Sequence, residues 1–353
     1  MTGRARHRDE PRVVVVGVGR FGALHVRVWS EAGARIVGLC DLDESRLAEV
    51  AGRFGVDRAD TDAALLLAKV RPDAVVVAAD EAVHADLAIA SLRAGCHVFV
   101  EKPLALSSDD ALRVRDAAAG AGRQVVAGQI SRFAALYTRL RDGVRAGRVG
   151  SLRALRLRRD FSRAWLAAFG DRVHPVWESC IHDIDLAVCL TGRPARRAVA
   201  MESTIPGSAQ PAVVSALLDF DGGVVATVES AWLVPDSAPH TISGVLELAG
   251  SIVGEAEVLG TGGVLRQRLV SDALVEWTDD GIGAPDLSLW PEEDGRVGGA
   301  LRREVDYAIE VFAGRRAPDR MPLEEACWGV AAAEAVVASL GSREPVRVRG
   351  CDR

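Results

Sequence analysis

The run Val13-Val14-Val15-Val16 stops abruptly at Gly17. A short unbroken apolar run closed by glycine is the pattern of a strand buried on both faces, as in a parallel sheet. Residues 21–32 then read as a helix closed by Gly33. The alternation continues with a strand over 35–40 and a helix over 43–54 with Gly55 after it. Asp62 is placed to cap a helix through Lys69. A strand over 74–78 follows Pro72, a helix over 83–94 ends at Gly95, and 97–100, 108–121 and 124–127 read as strand, helix and strand. Strand and helix alternating at this spacing predict a doubly wound α/β sheet.

Beyond residue 130 the texture changes. A helix is expected over 133–146. Alternating apolar and polar positions then mark strands over 152–158, 197–202, 213–220, 224–232 and 244–249, with weaker ones up to Trp277. Links such as Asp221-Gly222-Gly223 are hairpin signals, so this sheet is expected to be largely antiparallel. Two helices close the pattern, at 299–312 and 323–340, and the Gly-, Asp- and Pro-rich stretch 279–298 reads as a loop. The architecture expected is a disordered tail (1–10), a nucleotide-type Rossmann domain (11–128) and an α+β domain (129–353) with a large, mostly antiparallel open sheet. An uncovered sheet face predicts burial against another subunit, in a homodimer or homotetramer.

Composition narrows the function classes. About half of the 353 residues are hydrophobic and the formal charge is -6, which argues against a partner held through a phosphate backbone. No apolar run reaches the ~18 residues of a membrane span. The arginine-bearing start has no apolar stretch after it, unlike a signal peptide. Six scattered cysteines form no metal-like spacing and are read as reduced thiols in a cytoplasm. Of the 43 basic residues only Lys69 and Lys102 are lysine. A lysine in such a background draws scrutiny, because lysine can lose its proton at accessible cost and arginine cannot.

Gly17-Val18-Gly19-Arg20-Phe21-Gly22 follows the first strand and opens the first helix. Gly17 permits the tight turn, Gly19 lets backbone approach a pyrophosphate, and Gly22 lets helix and strand pack closely. The helix start offers free N–H groups to phosphates. Asp41 ends the second strand, where an acid accepts from ribose hydroxyls and repels a 2′-phosphate, so NAD is expected rather than NADP. The bland reading is a tight turn with no ligand.

Glu101-Lys102-Pro103 comes just after a strand, at the sheet end that faces the ligand crevice. Lys102 is placed to bond a substrate hydroxyl, or else to pair with Glu101 on the surface. In Glu178-Ser179-Cys180-Ile181-His182-Asp183-Ile184-Asp185 the acid Glu178 and His182 are four apart and can meet on one helical face, with Asp185 on roughly the same side. A carboxylate beside a histidine raises its basicity, which suits general acid–base work. A capping glutamate and a satisfied core histidine is the competing reading. His174, Glu178 and His182 also have a loose metal spacing, but Pro175 interrupts the helix it needs. Arg153, Arg156, Arg158 and Arg159 read as a solvated strand edge in preference to an anion site.

From about residue 11 to 345 the chain resembles the glucose-fructose oxidoreductase / inositol dehydrogenase / rhizopine catabolism (Gfo/Idh/MocA) family. The resemblance rests on the glycine loop, Asp41, the 72–78 strand with His84 after it, Glu101-Lys102-Pro103 and the segment His182-Asp183-Ile184-Asp185. It implies cofactor contacts from Gly17, Gly19, Arg20, Phe21, Gly22, Asp41, Asp80, His84, Glu101, Lys102 and Gln129. It implies catalysis by Lys102, His182 and Glu178, and a substrate pocket of those three with Arg132, Tyr137, Trp177 and Asp185. Ala79-Asp80-Glu81, His174-Pro175-Val176-Trp177 and Glu178 in place of an aspartate depart from the family pattern near that pocket. The expected activity is NAD-dependent hydride transfer at a secondary alcohol of a polyol, sugar or cyclitol. The alternative is a non-catalytic nucleotide-sensing regulator on the same fold.

Overall fold

The computed structural model of the chain describes residues 10–170, 172–239, 241, 250–269, 274–278, 281–284 and 287–350. In chain order β1 (Arg12–Val16), α1 (Arg20–Glu31), β2 (Arg35–Cys40), α2 (Glu44–Phe54), β3 (Ala59–Asp60), α3 (Ala63–Val70) and β4 (Ala74–Val77) come first. A 3-10 turn (Glu81–Val83) leads to α4 (His84–Arg93), β5 (His97–Glu101), α5 (Ser108–Ala121) and β6 (Val125–Gly128). The six strands form one parallel sheet in the order β3-β2-β1-β4-β5-β6. Successive strands run outward from β1 in one direction and then, from β4, in the other. The crevice between β1 and β4 is therefore the switch point at which such sheets take ligands. Val13, Val14 and Val15 are wholly buried, as a strand covered on both faces requires.

The helix starts follow capping chemistry. Asp43 accepts from Arg46 N–H, Asp62 from Ala64 and Leu65 N–H, and Ser107 from Asp110 N–H. Gly55 and Gly122 close their helices in the left-handed conformation.

The second half begins with a 3-10 turn (Ile130–Phe133), α6 (Ala135–Arg145), β7 (Leu152–Phe161) and α7 (Arg163–Phe169). The helix expected over 133–146 is thus two pieces, joined at Ala134 in an extended conformation. A π-helical turn (Val176–Cys180) runs into α8 (Ile181–Thr191). β8 (Ala195–Ser203), β9 (Val213–Phe220), β10 (Val224–Ala231), β11 (Ile252–Gly260) and β12 (Gly263–Arg268) follow. Two short pairs, β13 (Glu276–Thr278) with β14 (Gly281–Gly283) and β15 (Glu292–Glu293) with β16 (Arg296–Val297), precede α9 (Gly299–Phe312), α10 (Leu323–Ser342) and β17 (Val346–Arg347). The large sheet runs β12-β11-β7-β10-β9-β8-β17 and is antiparallel except where β7 meets β10. The strand expected over 244–249 lies outside the described residues.

One face of this sheet is covered by α8 and α10, and the alternation in β9 and β10 points Val214, Ala216, Leu218, Ala226 and Val228 inward. The other face presents Met201, Leu217 and Val225 outward.

The stretch 279–298 is not a plain loop. Its second hairpin clasps α1. Arg27 bonds Glu292 at 3.1 Å and the Gly295 carbonyl at 2.8 Å, Glu31 accepts from Val297 N–H at 2.9 Å, and Trp290 meets Phe21 edge-on. Local composition hid this, because the partners lie more than 260 residues away in the chain.

Candidate active site

The glycine loop has the geometry its sequence implies. Gly17 has φ +84°, and a Cβ there would lie 2.5 Å from the Ala78 carbonyl oxygen. At Gly22 a Cβ would lie 1.9 Å from the Gly17 carbonyl oxygen, so side chains are barred from both positions. Gly19 differs: nothing comes within 4 Å of where its Cβ would be, and it precedes α1 with no side-chain cap. Open space before uncapped N–H groups leaves room for a phosphate. Asp41 Oδ2 accepts from Val18 N–H at 2.7 Å and Oδ1 from Asp43 N–H at 3.0 Å. The acid thus fastens the loop, and its remaining lone pairs fit ribose hydroxyls. These residues fit a dinucleotide.

The other positions expected to touch cofactor divide. Asp80 caps the 3-10 turn through Ala82 N–H and reaches Arg172 at 2.8 Å across the crevice mouth. His84 does not face the crevice. It is buried, with Nδ1 2.7 Å from the Pro103 carbonyl and Nε2 3.1 Å from that of Ala79, so it braces the turn after Lys102. Glu101 is likewise internal. Its Oε1 is 2.8 Å from His25 Nε2 and its Oε2 accepts from Lys102 N–H at 3.0 Å. Gln129 is buried behind the end of β6, and its Oε1 has no partner among the described residues.

Lys102 follows β5, and the Lys102–Pro103 peptide is cis. Its Nζ donates to Glu178 Oε2 at 2.6 Å and to the Glu178 carbonyl at 3.0 Å. Glu178 belongs to the π-helical turn that Pro175 starts, and Trp165 Nε1 points at its other oxygen from 3.5 Å. The expected meeting of Glu178 and His182 on one helical face is not found. Glu178 turns to Lys102, 76 residues away in the chain, and a one-helix argument contains no term for that partner. His182 sits at the start of α8, nearly buried, and its Nδ1 has no partner among the described residues. Burial, helped by the positive charges of Arg159 and Lys102, holds the imidazole well below its ordinary range. It is a neutral histidine.

Three expected substrate contacts are corrected. Arg132 and Asp185 bind each other in a buried two-point pair, at 2.7 and 2.8 Å, and Arg132 also holds Glu325 and the Arg320 carbonyl. Asp185 therefore fixes the 3-10 turn to α8 and does not bond His182. Tyr137 is buried with its hydroxyl 3.3 Å from Arg159. Trp177, by contrast, is only partly buried.

The arginine-rich strand splits too. Arg153, Arg156 and Arg158 are exposed as expected, while Arg159 is buried. It holds Asp183 at 3.0 and 3.1 Å and Ser131 at 3.1 Å. The signal for this was in the alternation: Leu155, Leu157 and Phe161 face inward, and Arg159 shares their parity. Trp165 and Arg172, which no motif marked, also reach the site. The described residues contain no cluster of metal ligands, and His174 Nδ1 is occupied by Val176 N–H.

Comparison with known proteins identifies the family. A family model described as an oxidoreductase family with an NAD-binding Rossmann fold matches residues 11–129, and the GFO/IDH/MocA C-terminal domain model matches 137–266. Inositol 2-dehydrogenase 2 of Saccharopolyspora erythraea is 34% identical over 221 residues, 61% of this chain and 65% of that protein. The match thus spans just under two thirds of that relative. The structure of myo-inositol 2-dehydrogenase from Lactobacillus plantarum superimposes with a TM-score of 0.81 at 21% identity, covering 96% of this chain and 100% of that one. Scyllo-inositol dehydrogenase from Lactobacillus casei, solved with NAD(H) and scyllo-inositol, gives 0.80 at 19% identity, covering 96% and 99%. With the N-terminal and C-terminal domain models of one family matched in order, the chain belongs to the GFO/IDH/MocA oxidoreductase family, and its first sheet is that family's NAD-binding Rossmann fold.

Proposed function

We propose that the protein is an NAD-dependent oxidoreductase that acts on a secondary alcohol, or the corresponding ketone, of a cyclitol or sugar. The observation that carries this is the convergence of Lys102 and Glu178, 2.6 Å apart, with the neutral His182 nearby, at the strand ends that face the cofactor crevice. The bound nicotinamide supplies the hydride chemistry. Lys102 Nζ donates to the substrate oxygen and stabilises the negative charge that develops there. His182, uncharged and short of a partner, takes the hydroxyl proton as the C–H hydride departs. The reverse direction uses the same groups. Glu178 orients Lys102 and accepts from a neighbouring hydroxyl. Asp41 favours a free 2′-hydroxyl, hence NAD over NADP.

Charge supports a neutral substrate. Lys102 is matched by Glu178, the buried Arg159 by Asp183, and the buried Arg132 by Asp185 with Glu325 beside it, so none of these three cations is left over for an acidic substrate. The outward Met201, Leu217 and Val225 fit contact with a second copy of the chain, in a dimer or tetramer.

The test is to incubate the purified protein with NAD and a panel of inositols, neutral sugars and sugar acids and to follow NADH absorbance. NADH is expected with a neutral polyol and not with the acids. No NADH from any member, with NAD binding intact, defeats the reading and favours a non-catalytic nucleotide sensor.

A further inference from the structure

Behind the Lys102 strand lies a group that the scheme above does not use. Glu304 sits in the middle of α9, is wholly buried, and neither of its carboxyl oxygens meets a donor among the described residues. Glu101 from β5 and Asp185 from α8 face it, and both are acids. Arg132 of the 3-10 turn, the cation that binds Asp185, is committed to it and to Glu325. His25 from α1 is committed through Nε2 to Glu101, while its buried Nδ1 has no partner among the described residues. β6 makes room for this cluster, because a Cβ at Gly128 would lie 2.9 Å from Glu101 Oε1.

A carboxylate cut off from water and from donors is too costly to keep ionised, so it takes up a proton. A second acid at the same place reinforces this, since two like charges in one site cannot both persist. Burial, with Glu101 and Asp185 adding to it, accordingly pushes the Glu304 carboxyl well above the ordinary range.

We propose that Glu304 is kept as a neutral carboxylic acid and is a positioning residue for Lys102: by staying uncharged it leaves undisturbed the Glu101 side chain, which is held by His25 and in turn holds the Lys102 backbone N–H. The importance of Lys102 rests on the function proposed above, whereas the protonation of Glu304 does not. Ionisation of Glu304 beside Glu101 would add a second negative charge under the lysine turn and loosen it.

The folded chain keeps this proton and the unfolded chain releases it above about pH 4–5, so the contribution is complete at acid pH and is lost as pH rises toward the folded-state value. Glu304→Gln, which mimics the neutral acid, has no such loss.

The experiment compares wild type with Glu304→Gln in three ways. Infrared spectroscopy in D2O at about pH 8, where exposed carboxyls are ionised, should show a protonated-carboxyl C=O band in wild type that is absent from the variant. The melting temperature of the variant should gain on wild type steadily as pH rises. NADH affinity, read by its fluorescence, should weaken at alkaline pH in wild type and hold in the variant. If the Gln variant does not accumulate, Glu304→Met replaces it, since a neutral site tolerates an apolar side chain of similar volume. No band, or parallel pH dependence of melting, overturns the neutral acid. A band with identical NADH pH profiles overturns the positioning role. None of the three readouts needs a substrate, so the result is independent of whether the panel yields NADH.

Discussion

The two halves of the crevice hold charge in opposite ways. On the β1 side open space lies at Gly19, before the uncapped N–H groups that start α1, and one carboxylate, Asp41, fastens the loop. On the α8 side the charges are buried and cancelled in pairs: Arg132 with Asp185, Arg159 with Asp183, and Lys102 with Glu178 nearer the opening. A surface built from backbone can accept any ligand with the right phosphates. A surface whose lysine is already bonded to Glu178 selects, because a substrate must replace a bond already made, while the two buried pairs fix α8 behind it. The difference teaches where to look for each property: cofactor choice in the loop, substrate choice at Lys102 and Glu178, and acid–base chemistry at Lys102 and His182.

The comparison can be broken most severely at a buried pair. Arg132→Leu strands Asp185 without its partner, and such a loss costs about 3–5 kcal/mol. A large drop in melting temperature is expected, and a shift no greater than that of a surface variant would show that the pair is not what locks α8. Gly19→Ala adds a Cβ in open space, so it should leave stability intact but weaken NAD roughly tenfold, about 1.4 kcal/mol, as calorimetry would show. Unchanged affinity there would exclude a phosphate at that place.

The pH profile sharpens the account further. His182 is depressed, so it stays neutral through neutrality, and the acid limb of kcat/KM should fall below the ordinary imidazole range. In the double variant Arg159→Met/Asp183→Asn a positive neighbour is gone, the charged imidazole becomes easier to form, and the limb should move to higher pH. A limb that stays in place would exclude His182 as the group titrating. The smallest effect belongs to Arg172→Ala. Its bond to Asp80 joins two half-exposed side chains and is worth about 0–1 kcal/mol. NAD affinity should change by no more than a few-fold, and less in high salt.

These regions were not equally legible in the sequence. The glycine loop reads correctly because much of its requirement is local: the positive φ at Gly17 and the press of Gly22 against the Gly17 carbonyl depend on a few adjacent residues. Strand and helix positions follow from periods of 2 and 3.6 for the same reason. The histidine helix misled because its acids were assigned to the nearest histidine by spacing. Glu178 instead bonds Lys102 and Asp185 bonds Arg132, over 76 and 53 residues of chain. His84 and Glu101 belong to the family pattern yet brace the lysine turn from behind. Glu304 carries no motif at all, and only its burial against Glu101 marks it.

The central claim is that Lys102 acts on the reacting oxygen and is not merely a partner for Glu178. The most direct test measures NADH formation and NAD binding side by side in wild type and Lys102→Ala, with the best substrate of the panel. The account predicts a loss of about 10²–10³ in kcat at saturating NAD, the scale of removing one charge-stabilising donor. Retention of kcat in the variant would contradict it and leave the lysine a structural partner of Glu178.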